Sequence, residues 1–196
     1  GDDPTPPVSL RLHSDRGGRD GALGGADIGR RPKRRHRIGG RADLGILKLA
    51  DQVWISDNTE PTARLNIQDG YSQVFPASTM EAWATNMGPE YLPLGFRMHV
   101  SMCGALGIGG HLIHWGKENR EQAAYWIARY KEIRPIIQFG DLYRLRSAQQ
   151  NPFSALQYVS KDKKEAVLFA FRTHQPLIPY VEAQPPVYLR GLNPTA

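Results

Sequence analysis

The run Gln52-Val53-Trp54-Ile55-Ser56-Asp57-Asn58-Thr59-Glu60-Pro61 decides how this chain is read. Gln52 to Ser56 is short and strand-like, and Asp57 follows it directly. Asn58 or Thr59 can cap a helix whose first turn takes Pro61, where a missing N–H costs nothing. Ala63, Ile67, Tyr71 and Val74 then recur at helical spacing until Phe75-Pro76 ends the element. A carboxylate at the carboxyl end of a buried strand, with a helix immediately after it, is where α/β barrels place catalytic residues. Ser-Asp-Asn-Thr is equally good capping chemistry, so the local pattern leaves both readings of Asp57 open.

Outward from this run, the apolar stretch 44–50 leads into the strand from its amino-terminal side. On the other side, a Gly-, Pro- and Asn-rich loop from Asn86 to Pro93 precedes a second helix over 94–106, containing Phe96, Val100 and Cys103. Leu106 to Leu112 reads as a Gly-rich strand or turn. Glu118 to Arg134 is the clearest helix: Ala123, Trp126, Ile127, Tyr130 and Ile133 form one apolar stripe, and Pro135 is expected to stop it. Beyond Pro135 the period becomes two. Strands are expected at Ile137 to Leu145, Leu156 to Ser160 and Glu165 to Arg172, the last two joined by a Lys161-Asp162-Lys163-Lys164 turn. A final strand, Val187 to Leu192, follows a Pro-rich loop.

The first part of the chain differs in kind. Residues 1–41 carry ten Lys or Arg against five Asp, a net +5 of the total +6, while the other 155 residues are nearly neutral. They contain no aromatic residue and nine Gly, so little burial is on offer to offset the entropy of ordering them. Residues 1–38 therefore read as a disordered basic leader, and their Arg, Gly, Asp, Ala, Pro and His content is also what a GC-rich gene yields out of frame. Arg30 to Arg37 would attract phosphate, but it lacks the interleaved aromatics of a single-strand binder, and no specific nucleic-acid partner is expected. With 196 residues the chain is too short for a whole (β/α)₈ barrel, which takes roughly 250. No run approaches the ~18 consecutive apolar residues of a membrane helix, and no export signal is visible, so no membrane partner is expected. A single cysteine, Cys103, excludes an internal disulfide and fits a cytoplasmic location.

Several separated blocks share an order and spacing with one family. Gly39-Gly40-Arg41-Ala42-Asp43, Val53-Trp54-Ile55-Ser56-Asp57-Asn58-Thr59-Glu60 and Arg64-Leu65-Asn66-Ile67-Gln68-Asp69-Gly70 come first. Phe96-Arg97-Met98-His99-Val100, Tyr130-Lys131-Glu132-Ile133-Arg134-Pro135, Gln138-Phe139-Gly140-Asp141-Leu142-Tyr143-Arg144-Leu145 and Tyr188-Leu189-Arg190-Gly191-Leu192 follow. From Gly39 to its end the chain resembles the last part of glycoside hydrolase family 36, the α-galactosidases. The resemblance implies an α/β fold: the last strands and helices of a (β/α)₈ barrel over 39–135, then an antiparallel, sandwich-like β-domain over 136–196. It implies hydrolysis of terminal α-galactose from melibiose- or raffinose-type sugars without a cofactor or metal, in an intact enzyme that can be a homo-oligomer.

By the same resemblance Asp57 is the general acid/base. It would protonate the departing oxygen and then deprotonate the water that releases galactose, a task that asks for burial and an anionic neighbour. The family's nucleophile is the Asp of a Lys-Trp-Asp-x-Asn motif, and no such motif occurs here. Where the family shows Cys-Ser-Gly-Gly before Gly39, this chain has Arg35-His36-Arg37-Ile38. The expectation is therefore a fragment, inactive alone. The rivals are a carbohydrate- or subunit-binding remnant without catalysis, and a basic-tailed nucleic-acid binder. His111 and His114, three apart beside Trp115, lack a nearby third ligand and read as loop histidines. Cys103 reads as a small core residue, and Gly107, Gly109 and Gly110 make only a partial phosphate-loop pattern.

Overall fold

The computed structural model describes residues 8–13, 37–39, 44–86, 92–149, 153–173 and 186–193, with backbone alone at 8–13 and 37–39. It is an α/β protein with two four-stranded sheets. In chain order the elements are β1 (Val8–His13), β2 (Arg37–Gly39), β3 (Gln52–Trp54), α1 (Pro61–Tyr71), β4 (Met80–Thr85), α2 (Leu94–Met102), β5 (Ala105–Gly109), α3 (Lys117–Phe139), β6 (Asp141–Arg146), β7 (Phe153–Val159) and β8 (Glu165–Arg172). The first sheet is parallel, in the order β2-β3-β4-β5, and its strands alternate with helices. The second is antiparallel, in the order β1-β8-β7-β6.

The two sheets share one core. Phe96, Val100, Met102 and Cys103 from α2 and its cap meet Tyr130, Ile133, Ile136 and Ile137 of α3, and these pack on Tyr158, Val167, Phe169 and Phe171 of β7 and β8. Phe96 and Phe171 meet edge to face at 5.8 Å. Two tyrosine hydroxyls close the joint. Tyr158 donates to the Cys103 carbonyl at 2.5 Å. Tyr130 donates to the Gly104 carbonyl at 2.6 Å and accepts from Leu106 N–H and Gln138 Nε2. These carbonyls lie just past α2, where a helix leaves its last acceptors without partners.

Several expectations need correction. Helix α3 does not stop at Pro135 but runs through it to Phe139, and Ile137 lies in a helix rather than a strand. Pro135 is on the exposed side, while Ile136 and Ile137 are buried in the shared core, and that burial outweighs the lost helical hydrogen bond. The buried face of α1 is Pro61, Arg64, Leu65 and Gln68, and Val74 is exposed. The β4 strand lies at the centre of the parallel sheet, in a stretch that the sequence reading left without an element. Within 1–38, expected to lack packed structure, Val8–His13 pairs along its whole length with β8, and Arg37–Gly39 joins the parallel sheet. Val187 to Leu192 is not a strand. It is held by a bond from Arg190 N–H to Gln157 Oε1 at 2.9 Å and one from Asn193 N–H to the Lys163 carbonyl. Among the described residues no helix is long and apolar enough to cross a membrane.

Candidate active site

Asp57 lies three residues beyond the last residue of β3, at the carboxyl edge of the parallel sheet. Val53, in the middle of the strand, is buried between Ile38 of β2 and Met80 of β4 in the ladder. The chain then turns on its own side chains. Asn58 N–H donates to Ser56 Oγ at 3.1 Å, and Glu60 N–H donates to Asn58 Oδ1 at 3.0 Å. These local bonds exploit the readiness of Ser and Asn to bond nearby backbone.

The helix cap differs from the expected one. Neither Asn58 nor Thr59 caps α1. Glu60 does, accepting Thr62 N–H at 3.0 Å and Ala63 N–H at 2.6 Å, with Pro61 in the first turn. Burial pushes the Glu60 carboxyl up, but the bonds from Thr62 and Ala63 and the charge of Arg97 bring it below its ordinary value. Thr59 instead meets Thr85, at the end of β4, hydroxyl to hydroxyl at 2.7 Å. With the cap supplied by Glu60, the Asp57 carboxylate is not used to start the helix.

Beneath the turn sits Arg64, 1 % exposed. Its guanidinium donates to the Ser56 carbonyl at 3.3 Å and to the Glu81 carbonyl at 2.6 Å, fastening α1 to the ends of β3 and to β4. Burial pushes its pKa down to about 10, with Glu81 opposing.

Asp57 itself is exposed, where the acid/base task asked for burial. Its Oδ1 accepts the indole N–H of Trp54 at 2.6 Å. Trp54 meets Trp83 of β4 edge to face, centroids 5.0 Å apart at 88°. Register pairs Trp54 with Glu81 and Trp83 with Gly107, so by the two-residue period of strands Trp54, Glu81, Trp83 and Gly107 share one face of the sheet. Further along the same edge, Asn86 Oδ1 accepts the Trp115 indole N–H at 2.9 Å. Nothing in the sequence analysis assigns a role to Trp54, Trp83 or Asn86, and Gly107 and Gly109 of β5 were part of a partial phosphate-loop pattern there. An aromatic flanked by Asp two or three residues on was the available signal for Trp54.

His111 and His114 occupy an exposed loop between β5 and α3, with ring centroids 5.9 Å apart. Cys103 is buried at the end of α2, its thiol donating to the His99 carbonyl, and burial pushes that thiol well above its usual range. Among the described residues no group of three or more metal-ligating side chains assembles.

The class these observations define is an α/β fold with a carboxylate and polar side chains gathered at the carboxyl edge of its parallel sheet. Residues 36–140 match the family described as Melibiase, and residues 153–196 match the Glycosyl hydrolase family 36 C-terminal domain. The chain belongs to glycoside hydrolase family 36. It is 35 % identical over 164 residues to a probable α-galactosidase C of Aspergillus terreus, covering 81 % of this chain and 21 % of that one. The crystal structure of the α-galactosidase AgaB from Geobacillus stearothermophilus superposes with a TM-score of 0.70 at 33 % identity, over 76 % of this chain and 21 % of that one. A variant of AgaA from the same organism, in complex with raffinose, superposes with a TM-score of 0.70 at 31 % identity and the same coverage. The chain thus spans about a fifth of the length of the curated relatives it matches.

Proposed function

We propose that this chain carries the acid/base half of a retaining α-galactosidase, with Asp57 as the group that gives and takes the proton. The observation that supports this most is the position of Asp57. It stands at the carboxyl edge of the parallel sheet, relieved of capping duty by Glu60. On this reading the parallel sheet is the closing part of a (β/α)₈ barrel and the antiparallel sheet belongs to a sandwich-like domain behind it. The substrate class is a terminal α-galactoside of the raffinose type, following the relative solved with raffinose. Assembly of the intact enzyme into a homo-oligomer, and a cytoplasmic location, belong to the same proposal.

Retention needs two carboxyl groups about 5–5.5 Å apart, one of them a nucleophile. The proposal assigns the nucleophile to residues outside these 196, since no Lys-Trp-Asp-x-Asn motif is among them. A general acid alone contributes on the order of 10²–10⁴ in rate, far below what a glycosidase supplies. The purified chain is therefore expected to show essentially no turnover of p-nitrophenyl α-galactoside. Grafted behind the earlier barrel strands of an intact relative, it should become active, and Asp57→Ala should then cost at least about 10²-fold in kcat. Robust turnover by the chain alone, abolished by Asp57→Ala, would place a nucleophile within it and overturn the division of labour.

A further inference from the structure

Asp57 is exposed, yet its carboxylate is not left to rotate. A group that must hand over a proton and later take one back needs a fixed orientation through both halves of the cycle. A partner that titrates would change its own charge during that cycle. An indole N–H does not titrate and only donates, so its bond to a carboxyl oxygen survives whether the other oxygen carries a proton or not.

Trp54 provides such a donor at 2.6 Å from Asp57 Oδ1. The Trp54 ring is in turn braced by Trp83 at 5.0 Å. Trp83 lies where two residues of β5 have no side chain: a Cβ on Gly107 would stand 2.6 Å from Trp83 Nε1, and one on Gly109 would collide with its six-membered ring. Glycine weakens the interior of a strand, and its presence there marks a close approach by another group. The close approach is Trp83.

We propose that Trp54 is a positioning residue for Asp57. Seated by Trp83 in the slot left by Gly107 and Gly109, it holds Oδ1 so that Oδ2 is the oxygen that exchanges the proton. This deepens the reading of Asp57 as the acid/base and rests on it. The arrangement runs across three strands: β5 leaves the space, β4 fills it, and β3 presents the braced donor to the carboxylate just beyond its end.

The spectroscopic test needs no substrate, so its outcome is separable from that of the turnover assay. The chain has four Trp, and nitrogen–proton correlation spectra report each indole N–H. The Trp54 signal is the one lost in Trp54→Phe. In the native chain it should move through a single step as pH is lowered and the Asp57 carboxylate gains its proton. Asp57→Asn should keep the signal and remove the step. Gly107→Ala, which drives a methyl into Trp83, should remove the step while the Trp115 and Trp126 signals persist. Trp83→Leu, which removes the brace without adding bulk, should do the same. A Trp54 signal that is flat with pH in the native chain, or a step that survives Asp57→Asn, overturns the proposal. A step unchanged in both Gly107→Ala and Trp83→Leu overturns the bracing by Trp83. In the chain grafted behind an intact relative's barrel strands, Trp54→Phe should lower kcat and leave KM in place, a split that a purely structural Trp54 would not give.

Discussion

Two buried polar side chains make the sharpest predictions at the level of single residues. Arg64 spends its guanidinium on two backbone carbonyls, those of Ser56 and Glu81. Arg64→Met removes both of these bonds in a buried place. A loss of about 2–5 kcal/mol in urea unfolding is expected, and Arg64→Lys should recover only part of it, because an ammonium cannot span two carbonyls as a planar fork does. His99 is buried against Trp126 at 4.1 Å and Phe169 at 6.4 Å, with Nδ1 against the Gly95 carbonyl and Nε2 without a partner. Burial lowers its pKa from 6.5, the bond to Gly95 opposing. The unfolded chain then binds the proton more readily than the folded one, so the stability that neutral His99 supports is complete above pH 6.5 and declines as pH falls below it. The melting temperature should begin to drop as pH falls below 6.5, before the Glu60 carboxyl contributes its own loss below 4.5. In His99→Gln the first part of that decline should flatten, which a pH series of thermal melts would reveal.

Individual elements show why some of the fold was legible and some was not. The turn Lys161–Lys164 between β7 and β8 announced itself, and Lys163 takes a positive φ of 61° there, with Asp162 Oδ1 accepting from Ser160 and from Lys164 N–H. Strand β4 did not announce itself, because Met80-Glu81-Ala82-Trp83-Ala84-Thr85 has two Ala, a Glu and little of the β-branched content that marks strands. Its place between β3 and β5 is set by neighbours distant in sequence. Strand β1 did carry a signal, since Val8-Ser9-Leu10-Arg11-Leu12-His13 alternates with period two, but the surrounding Arg and Gly outweighed it. The candidate site was half legible: Asp57 stood out by its neighbours in sequence, whereas the bracing of Trp54 depends on a register that places Trp83 beside Gly107. Helix α1 misled because its buried face is polar. Gln68 is 5 % exposed, with neither amide atom bonded, and it lines a recess of about 30 Å³ together with Ser154, 3 % exposed and also unbonded. Gln68→Met removes an unpaired buried amide at nearly constant volume, so the urea midpoint should rise by the equivalent of about 1 kcal/mol. A fall instead would show that ordered water joins Gln68 to Ser154, since the recess has room for it. Helix α3 makes a parallel case: Pro135→Ala restores a backbone donor in the helix interior and should stabilise by about 1–3 kcal/mol in the same measurement.

Across the whole molecule the two sheets are expected to unfold as one, because α2 and α3 bury their apolar faces against β7 and β8 in a continuous cluster. Trp54 and Trp83 belong to the parallel sheet, so their indole signals report that part, while amide exchange in β7 and β8 reports the other. Coincident transitions are expected, and an antiparallel sheet that melts separately would contradict the shared core. Tyr158→Phe, which frees the Cys103 carbonyl at the joint, should lower both transitions together by about 1–2 kcal/mol. The tyrosine clasp bears on heredity as well. The two family segments meet between residues 140 and 153, where sequence suggests a clean seam. The packing has no seam there, so a gene spliced at that junction to an unrelated second half would inherit Cys103 and Gly104 without the ring from β7 that covers one of them. A splice at that junction is therefore expected to lose stability at the place where the sequence invites it.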